Sequence, residues 1–205
     1  MPRLKVCGIT DAEFAAGAAK RGVDYLGFIF AEGSPRRVTP EQARSLAETA
    51  ASASPSRPPR FVGVFTTHRA DEIAAIADSV GLDVVQLHGD YSDADVVALK
   101  ASGREVWRLY SGEGGPAVED AVLIDGRNGT SRGGTGRLAD WSLVATIRRD
   151  GRRVVLAGGI SAANVAAAAA TGADVIDVNS AIETAPGKKS LGLLDEVLSA
   201  LGLQQ

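Results

Sequence analysis

Short apolar segments rich in branched residues recur along the chain, and stretches of helical character separate them. Each segment spans four to seven residues, a length typical of a β-strand. The segments lack strict alternation of apolar and polar positions, which indicates strands covered by helices and therefore paired in parallel. The predicted strands are the eight segments 4–7, 24–30, 60–65, 83–87, 105–109, 121–125, 153–157 and 174–178.

Glycines and capping residues mark the ends and starts of the helices between these strands. Capping boxes predict helix starts at 10–13 and 39–42, and Ser92 and Ser161 are further candidate caps. The segment 111–120 has too little pattern to predict a full helix. Glycine suits the left-handed residue that ends a helix, and five such glycines precede strands: Gly22, Gly81, Gly103, Gly151 and Gly172.

Strands and helices that alternate in this way predict an α/β fold. Eight strand–helix units in 205 residues favour a closed eight-stranded parallel βα (TIM) barrel, formed by a single domain over residues 1–205. The alternative is an open, doubly wound sheet, but no GxGxxG motif follows the first strand. The proline-punctuated segment 51–60 is too short to separate two domains.

Composition indicates which ligands and partners the protein is unsuited to bind. A net charge of −3 and 5% aromatic residues argue against a nucleic-acid-binding surface. One cysteine and two histidines without clustered ligands argue against a dedicated zinc site, and a single cysteine cannot form an internal disulfide. The sequence shows neither a signal peptide nor an apolar run long enough to cross a bilayer. We therefore expect a cytoplasmic protein without nucleic-acid or membrane partners.

Chemically distinctive residues follow the predicted strands, where a βα barrel carries its functional groups. Cys7, Arg36, His88 and Asp125 all lie at such strand ends. Each also has an ordinary interpretation: a lone cysteine is usually a small buried residue, Arg36 could be solvated, and Asp125 could cap a turn. Their shared location favours a functional Cys7, whereas His88 is better explained as a hydrogen-bonded structural residue.

Strand alternation places Lys5 on the same side as Cys7 and one layer deeper. A buried lysine needs an acidic partner, which inward-facing Asp125 or Asp177 could supply. The alternative is a surface lysine at the foot of the barrel. An ammonium group beside Cys7 would favour its thiolate, whereas burial alone would raise the pKa of the thiol.

Two glycine-containing segments suggest different roles. Gly158 and Gly159 follow the seventh strand, and their backbone N–H groups, with a helix start beyond them, form a candidate anion site. Residues 179–181 follow the eighth strand, and βα barrels commonly bind phosphate with these two loops. By contrast, 126–137 is a long polar loop, either a plain connection or a mobile cover over the site.

Several stretches together resemble the phosphoribosylanthranilate isomerase family of tryptophan biosynthesis. They run in order from residue 5 to residue 190, so the resemblance covers nearly the whole chain. The combination of KVCGIT, SPRRV and VQLHG is highly specific, whereas LAGG is shared more widely among phosphate-binding barrels. The matching stretches are KVCGIT, GFIFAEGSPRRV, VGVF, VQLHGD, GGTG with the following DW, LAGGISAANV and DVNSAIETAPGKKS.

The resemblance implies an Amadori rearrangement of N-(5-phosphoribosyl)anthranilate to an aminoketose, without cofactor or metal. It assigns Cys7 as general base, Asp125 as general acid and Arg36 as the group that binds the anthranilate carboxylate. The partner is a small phosphorylated aminosugar, and the protein is expected to be a monomer or homodimer. The phosphate-binding residues implied are Gly158, Gly159, Asn179, Ser180 and Ala181.

One departure from the family pattern and two rival functions bear on these expectations. The family commonly has glycine where this chain has Ala181, and alanine adopts positive φ at greater cost. A histidine-pathway Amadori enzyme would use a pair of aspartates, but the first strand here ends in Cys7. A non-catalytic phosphosugar-binding barrel would require Cys7 and Asp125 to be incidental.

Overall fold

The computed structural model describes residues 1–112, 117–126 and 140–203. Eight parallel strands pair in sequence order, and pairing of the first with the eighth closes the barrel. The predicted α/β barrel is therefore confirmed and the open sheet is excluded. The strands are β1 (Arg3–Cys7), β2 (Tyr25–Ile29), β3 (Arg60–Phe65), β4 (Val84–Leu87), β5 (Glu105–Leu109), β6 (Ala121–Ile124), β7 (Val154–Leu156) and β8 (Val175–Val178).

Helices connect most of these strands on the outside of the barrel. No helix within the described ranges is long and apolar enough to cross a membrane. The helices described are α1 (Ala12–Lys20), α2 (Pro40–Ala53), α3 (Ala70–Val80), α4 (Asp93–Ala101), α5 (Ser142–Arg149), α6 (Val165–Ala170) and α7 (Leu191–Ala200).

The helix-ending and helix-starting signals largely hold. The five predicted helix-ending glycines have φ between 74° and 85°. The second capping box is present, with Thr39 and Gln42 bonding reciprocally, and Ser92 caps α4. The first box is wrong by one residue: Asp11 accepts the hydrogen bond from the Phe14 amide, whereas Thr10 donates to the carbonyl oxygen of Gly187.

Alternating strand residues fill the barrel interior with apolar side chains. Outward-facing residues pack against the helices in a larger core. The carboxyl ends of the strands are where a βα barrel carries its functional groups. The apolar interior consists of Tyr25, Val62, Val84, Trp107, Ala121, Leu123, Val155, Ala157 and Val175.

The described residues between β5 and β6 contain no helix, in line with the weak pattern of 111–120. Residues 113–116 lie outside the described part. On the outer face there, Arg108 donates to Asp93 and to the buried carboxylate of Glu119, which also contacts Arg152. These ion pairs join β5 to the start of α4 and to the residues before β6 and β7.

A short hairpin follows the last barrel strand and lies at the mouth. The 3₁₀ helix Ser180–Ile182 leads into the antiparallel strands β9 (Glu183–Ala185) and β10 (Lys188–Lys189). The Thr10 hydroxyl donates to the turn between them at 2.7 Å, tying the hairpin to the chain just after β1. Two charged residues that the sequence analysis did not single out, Glu183 and Lys189, are brought to the site in this way.

Candidate active site

Cys7 ends β1 with its side chain directed into the upper barrel. The thiol is buried, and its register partner on β2 is Gly27. A Cβ at Gly27 would lie 3.1 Å from Cys7 Sγ and 3.3 Å from Lys5 Cε, so the glycine makes room for both side chains. Apolar neighbours form a dry collar around the sulfur: Ile29, Ala31 and Val64.

Lys5 lies below Cys7 and is completely buried. Its Nζ donates to Asp177 Oδ2 at 2.6 Å, which selects Asp177 from the two predicted partners. The choice follows from the closed barrel, because Lys5 and Asp177 are register partners on adjacent strands β1 and β8. The other oxygen, Asp177 Oδ1, is buried without a hydrogen-bond partner among the described residues.

Opposing influences set the ionisation of Cys7. Burial raises the pKa of the thiol above its usual range and outweighs the ammonium groups of Lys5 and Lys189, which favour the thiolate. The Asp177 carboxylate raises that pKa further. Burial lowers the pKa of Lys5, but the charges of Asp177 and Cys7 outweigh it, so the net pKa is raised and the ammonium persists.

Asp125 follows β6 directly and is also buried. His88 Nε2 lies 3.5 Å from Asp125 Oδ2, so this histidine neighbours the predicted acid. A Cβ at Gly158 would lie 2.6 Å from Asp125 Oδ1 and 2.3 Å from the Gly126 amide nitrogen. The carboxyl group therefore packs directly against the loop that follows β7. The rest of the predicted cover loop, 127–137, lies outside the described residues.

The loop after β7 is shaped by two left-handed glycines. Gly158 and Gly159 have φ of 85° and 70°, conformations that glycine adopts without strain. The helix beyond them starts later than predicted: α6 begins at Val165, and its N-cap residue is Asn164. Asn164 instead braces the turn, accepting from the Ser161 amide and donating to the Gly159 carbonyl oxygen. The carboxyl end of β7 is therefore followed by a backbone loop, and no helix begins directly after it.

The loop after β8 accommodates Ala181 without strain. Ala181 lies within the 3₁₀ helix Ser180–Ile182, and every positive φ among the described residues belongs to a glycine. The replacement of the family's glycine by alanine therefore demands no left-handed backbone here. The side-chain oxygen of Asn179 accepts a hydrogen bond from Lys189 Nζ at 2.8 Å.

Arg36 reaches across the mouth to the hairpin, whereas Arg37 is exposed. Arg36 donates from Nε and Nη2 to the two carboxylate oxygens of Glu183 at 2.8 and 2.5 Å. Its Cδ lies 2.7 Å from where a Cβ would stand at Gly8, so that glycine makes the approach to Cys7 possible. Burial would raise the pKa of Glu183, but hydrogen bonds from Arg36 and Lys189 outweigh it and keep the pKa below its usual range.

The structure thus gathers the sequence-predicted residues at one end of the barrel. Cys7 and Arg36 interact electrostatically with each other, and both Cys7 and Asp125 interact with Asp177. Glu183 and Lys189 were missed. The only signal that could have found them is the pair of charged residues flanking the Pro186–Gly187 turn, within a stretch that already carried the family resemblance.

A closed βα barrel with a buried thiol, a carboxyl group and a guanidinium group at the carboxyl ends of its strands defines a barrel enzyme. Comparison with known proteins narrows the class. The sequence model of the family described as N-(5'phosphoribosyl)anthranilate (PRA) isomerase matches residues 4–200. The chain belongs to this family.

Individual relatives agree. The chain is 38% identical over 196 residues to the N-(5'-phosphoribosyl)anthranilate isomerase of Citrifermentans bemidjiense, covering 92% of this chain and 91% of that protein. It is 40% identical over 205 residues to the tryptophan biosynthesis protein TrpCF of Vibrio cholerae. That match covers 96% of this chain but only 41% of the Vibrio protein, so the chain spans less than half of that relative.

Solved structures show the same relationship. The phosphoribosyl anthranilate isomerase of Thermus thermophilus superposes with a TM-score of 0.84 at 32% identity, over 98% of both chains. A phosphoribosyl anthranilate isomerase in complex with reduced 1-(o-carboxyphenylamino)-1-deoxyribulose 5-phosphate gives a TM-score of 0.80 at 27% identity, over 98% of this chain and 99% of that one. The likeness therefore extends over the whole barrel.

Proposed function

We propose that this protein isomerises N-(5'-phosphoribosyl)anthranilate to 1-(2-carboxyphenylamino)-1-deoxyribulose 5-phosphate in tryptophan biosynthesis. The observation that carries the proposal is a buried Cys7 thiol between the Lys5 ammonium below and the Arg36 guanidinium beside it. Family membership supports the same reaction, and one related structure holds the reduced product.

Ring opening is the first chemical step. Asp125, in its protonated form, gives its proton to the ring oxygen while the bond from that oxygen to C1′ breaks. The anthranilate nitrogen lone pair forms the C=N bond, so the open chain is a protonated Schiff base. Asp125 suits this task because it lies at the mouth and packs against the loop after β7.

Proton removal from C2′ follows. The Cys7 thiolate takes this proton, the C2′ electrons form the C1′=C2′ bond, and the C=N π electrons return to nitrogen. The resulting enolamine becomes the aminoketone when C1′ gains a proton and O2′ loses one. If Cys7 supplies the former and Asp125 accepts the latter, both groups return to their starting states. The dry collar around Cys7 keeps the thiolate poorly hydrated and therefore reactive.

Two groups of residues bind the ends of the substrate, at a distance from the carbons that react. Arg36 pairs with the anthranilate carboxylate, because a guanidinium group grips a planar carboxylate with two parallel hydrogen bonds. Backbone N–H groups of Gly158, Gly159 and 179–181 bind the phosphate. The positive φ angles of the two glycines support this assignment, since they open the backbone of that loop to close approach.

Turnover assays with phosphoribosylanthranilate and with the histidine-pathway aminoaldose test the proposal. We expect conversion of the anthranilate substrate to the aminoketose, identified by chromatography and mass. Turnover of the histidine-pathway substrate alone would identify the rival isomerase. Binding of both phosphosugars without turnover of either would identify a non-catalytic barrel.

A further inference from the structure

Arg36, Glu183 and Lys189 form a charged group at the barrel mouth, here called the mouth cluster. Glu183 lies at its centre and accepts hydrogen bonds from Arg36 Nε and Nη2 and from Lys189 Nζ, at 2.8, 2.5 and 2.8 Å. The side chains of Glu183 and Lys189 are 4% and 1% exposed. The charges of Glu183 and Lys189 are therefore weakly screened by water, whereas the Arg36 side chain is 15% exposed at the mouth.

Lys189 has no hydrogen left to offer a ligand. Its ammonium group donates to the Asn179 carbonyl oxygen at 2.9 Å, to Asn179 Oδ1 at 2.8 Å and to Glu183 Oε1 at 2.8 Å. An ammonium group carries three donors, and these contacts use all of them. Any influence of Lys189 on substrate must therefore pass through Glu183 and through its charge.

The cluster contains two cations and one anion. Arg36 and Glu183 alone would form a neutral pair, which offers little attraction to another carboxylate. Lys189 neutralises Glu183 and so leaves one net positive charge on the cluster, matching a singly charged carboxylate. Because the cluster is largely buried, this excess charge attracts a carboxylate more strongly than the same charge would at an open surface.

Glu183 also fixes the plane of the guanidinium group. It occupies the Nε and Nη2 edge of Arg36, and Nη1 makes no hydrogen bond to any residue that the structure describes. A guanidinium group can donate two parallel hydrogen bonds from either of two edges, and the Nη1 and Nη2 edge is the one that Glu183 leaves available. A bound Glu183 is therefore compatible with a carboxylate gripped on the other edge.

We propose that Lys189 and Glu183 are positioning residues that make the site select a substrate with a carboxylate on its aromatic ring. Lys189 provides the excess positive charge and Glu183 aims the guanidinium group of Arg36. This inference rests on the proposed function, because it takes Arg36 as the group that meets that carboxylate.

Two non-reacting ligands separate this role from a structural one: the reduced product with its ring carboxylate, and the equivalent compound made from aniline. Both keep the phosphate and the sugar chain. Titration calorimetry would compare the wild type with Lys189→Met and with the matched control Lys188→Met, whose lysine is exposed on the same short strand. Circular dichroism and thermal melting would establish folding.

We expect Lys189→Met to weaken binding of the carboxylated ligand roughly tenfold and to change binding of the aniline ligand by less than about twofold. Lys188→Met should leave both dissociation constants within about twofold of wild type. Equal weakening of both ligands by Lys189→Met would overturn the proposal, since a structural defect does not distinguish them.

The double variant Lys189→Met/Glu183→Gln provides an independent test. It can be used even where Lys189→Met alone does not fold. It removes one charge of each sign, so the cluster regains one net positive charge, and the amide oxygen of the glutamine keeps one acceptor that can still orient Arg36. The preference for the carboxylated ligand should therefore largely return. A preference as low as in Lys189→Met, or lost outright, would overturn the proposal. Turnover by the wild type is measured alongside: turnover without any carboxylate preference would contradict this inference while supporting the proposed function.

Discussion

The reactivity of Cys7 depends on neighbours that pull its ionisation in opposite directions. Burial and Asp177 raise the pKa of the thiol, and Lys5 and Lys189 lower it. The net direction is upward, so the thiolate is the minority form at neutral pH. The reactivity of Cys7 as a nucleophile or base should therefore depend on pH and on the charges of the neighbouring residues.

Replacement of Cys7 by serine tests the proposed base. Serine fits the same space, but its hydroxyl is a far weaker acid than a thiol and provides almost no anion. We expect Cys7→Ser to fold normally and to lose roughly 10²–10⁴-fold in kcat, the range of general base catalysis. Steady-state kinetics with circular dichroism check this, and near-wild-type turnover would rule Cys7 out as the base.

The charge of Asp177 should be visible in the alkylation of Cys7. Because the thiol pKa is raised, the rate of reaction with iodoacetamide should climb with pH above neutrality as thiolate forms. Asp177→Asn removes a charge that raises this pKa and keeps an acceptor for Lys5. The Cys7 thiolate then remains as the anion that holds Lys5 protonated, so the midpoint should move to lower pH. Asp195→Asn, at an exposed surface pair, is the control. An unmoved midpoint in Asp177→Asn would contradict the electrostatic account.

Arg36 and Arg37 offer a matched pair of substitutions. Arg36→Ala should raise KM strongly and affect kcat less, because its contact lies away from the reacting carbons. Loss of a charge-assisted pair costs on the order of 1.5–3 kcal/mol, or roughly 10- to 150-fold in kcat/KM. Arg37→Ala should be near neutral, since Arg37 is exposed. The opposite ranking would show that the other arginine binds substrate.

At the scale of elements, most helix boundaries follow local rules, whereas the conformation of the loop after β7 does not. Thr39 and Ser92 cap the helices that their sequence patterns predict, because capping bonds join residues three apart. The helix after β7 was predicted too early: Asn164 is the residue at its N-terminus, and the preceding residues form a braced turn. This turn keeps the backbone at Gly158 close to Asp125, a contact between distant parts of the sequence that local patterns do not reveal.

Gly158 and Gly151 separate backbone strain from a steric role in the site. Both have positive φ, 85° and 76°, so alanine at either should cost roughly 1–3 kcal/mol in stability. A Cβ at Gly158 would also press on Asp125 Oδ1 and the Gly126 amide, whereas at Gly151 nothing lies within 4 Å. Gly158→Ala should therefore lower kcat severely and Gly151→Ala should not. Denaturant unfolding and turnover measure the two effects, and equal kcat values would refute the distinction.

At the scale of the whole molecule, barrel closure places the first strand beside the last. The Lys5–Asp177 pair bridges residues 172 positions apart and is buried on both sides. Breaking such a pair leaves an uncompensated buried charge. The pair therefore matters to the stability of the entire barrel as well as to Cys7.

Lys5→Met should lower the free energy of unfolding by about 3–5 kcal/mol, because Asp177 loses its buried partner. The exposed pair Arg57–Asp24 gives the comparison: Arg57 is 70% exposed, and Arg57→Met should cost no more than about 1 kcal/mol. Urea unfolding measures both. Comparable losses in the two variants would mean that burial adds nothing to the Lys5–Asp177 pair.

Local periodicity in the sequence determined the eight strands, most of the helices and the strand ends and following segments that carry Cys7, Arg36 and Asp125. These features follow from interactions between residues close in sequence and from the rule that barrel sites lie at strand ends. Alternation could place Lys5 beneath Cys7 but could not choose between Asp125 and Asp177. That choice depends on the register across the closing strands β1 and β8, which no local pattern contains. The mouth cluster likewise joins residues 147 positions apart, from Arg36 to Glu183, and only the folded barrel brings them together.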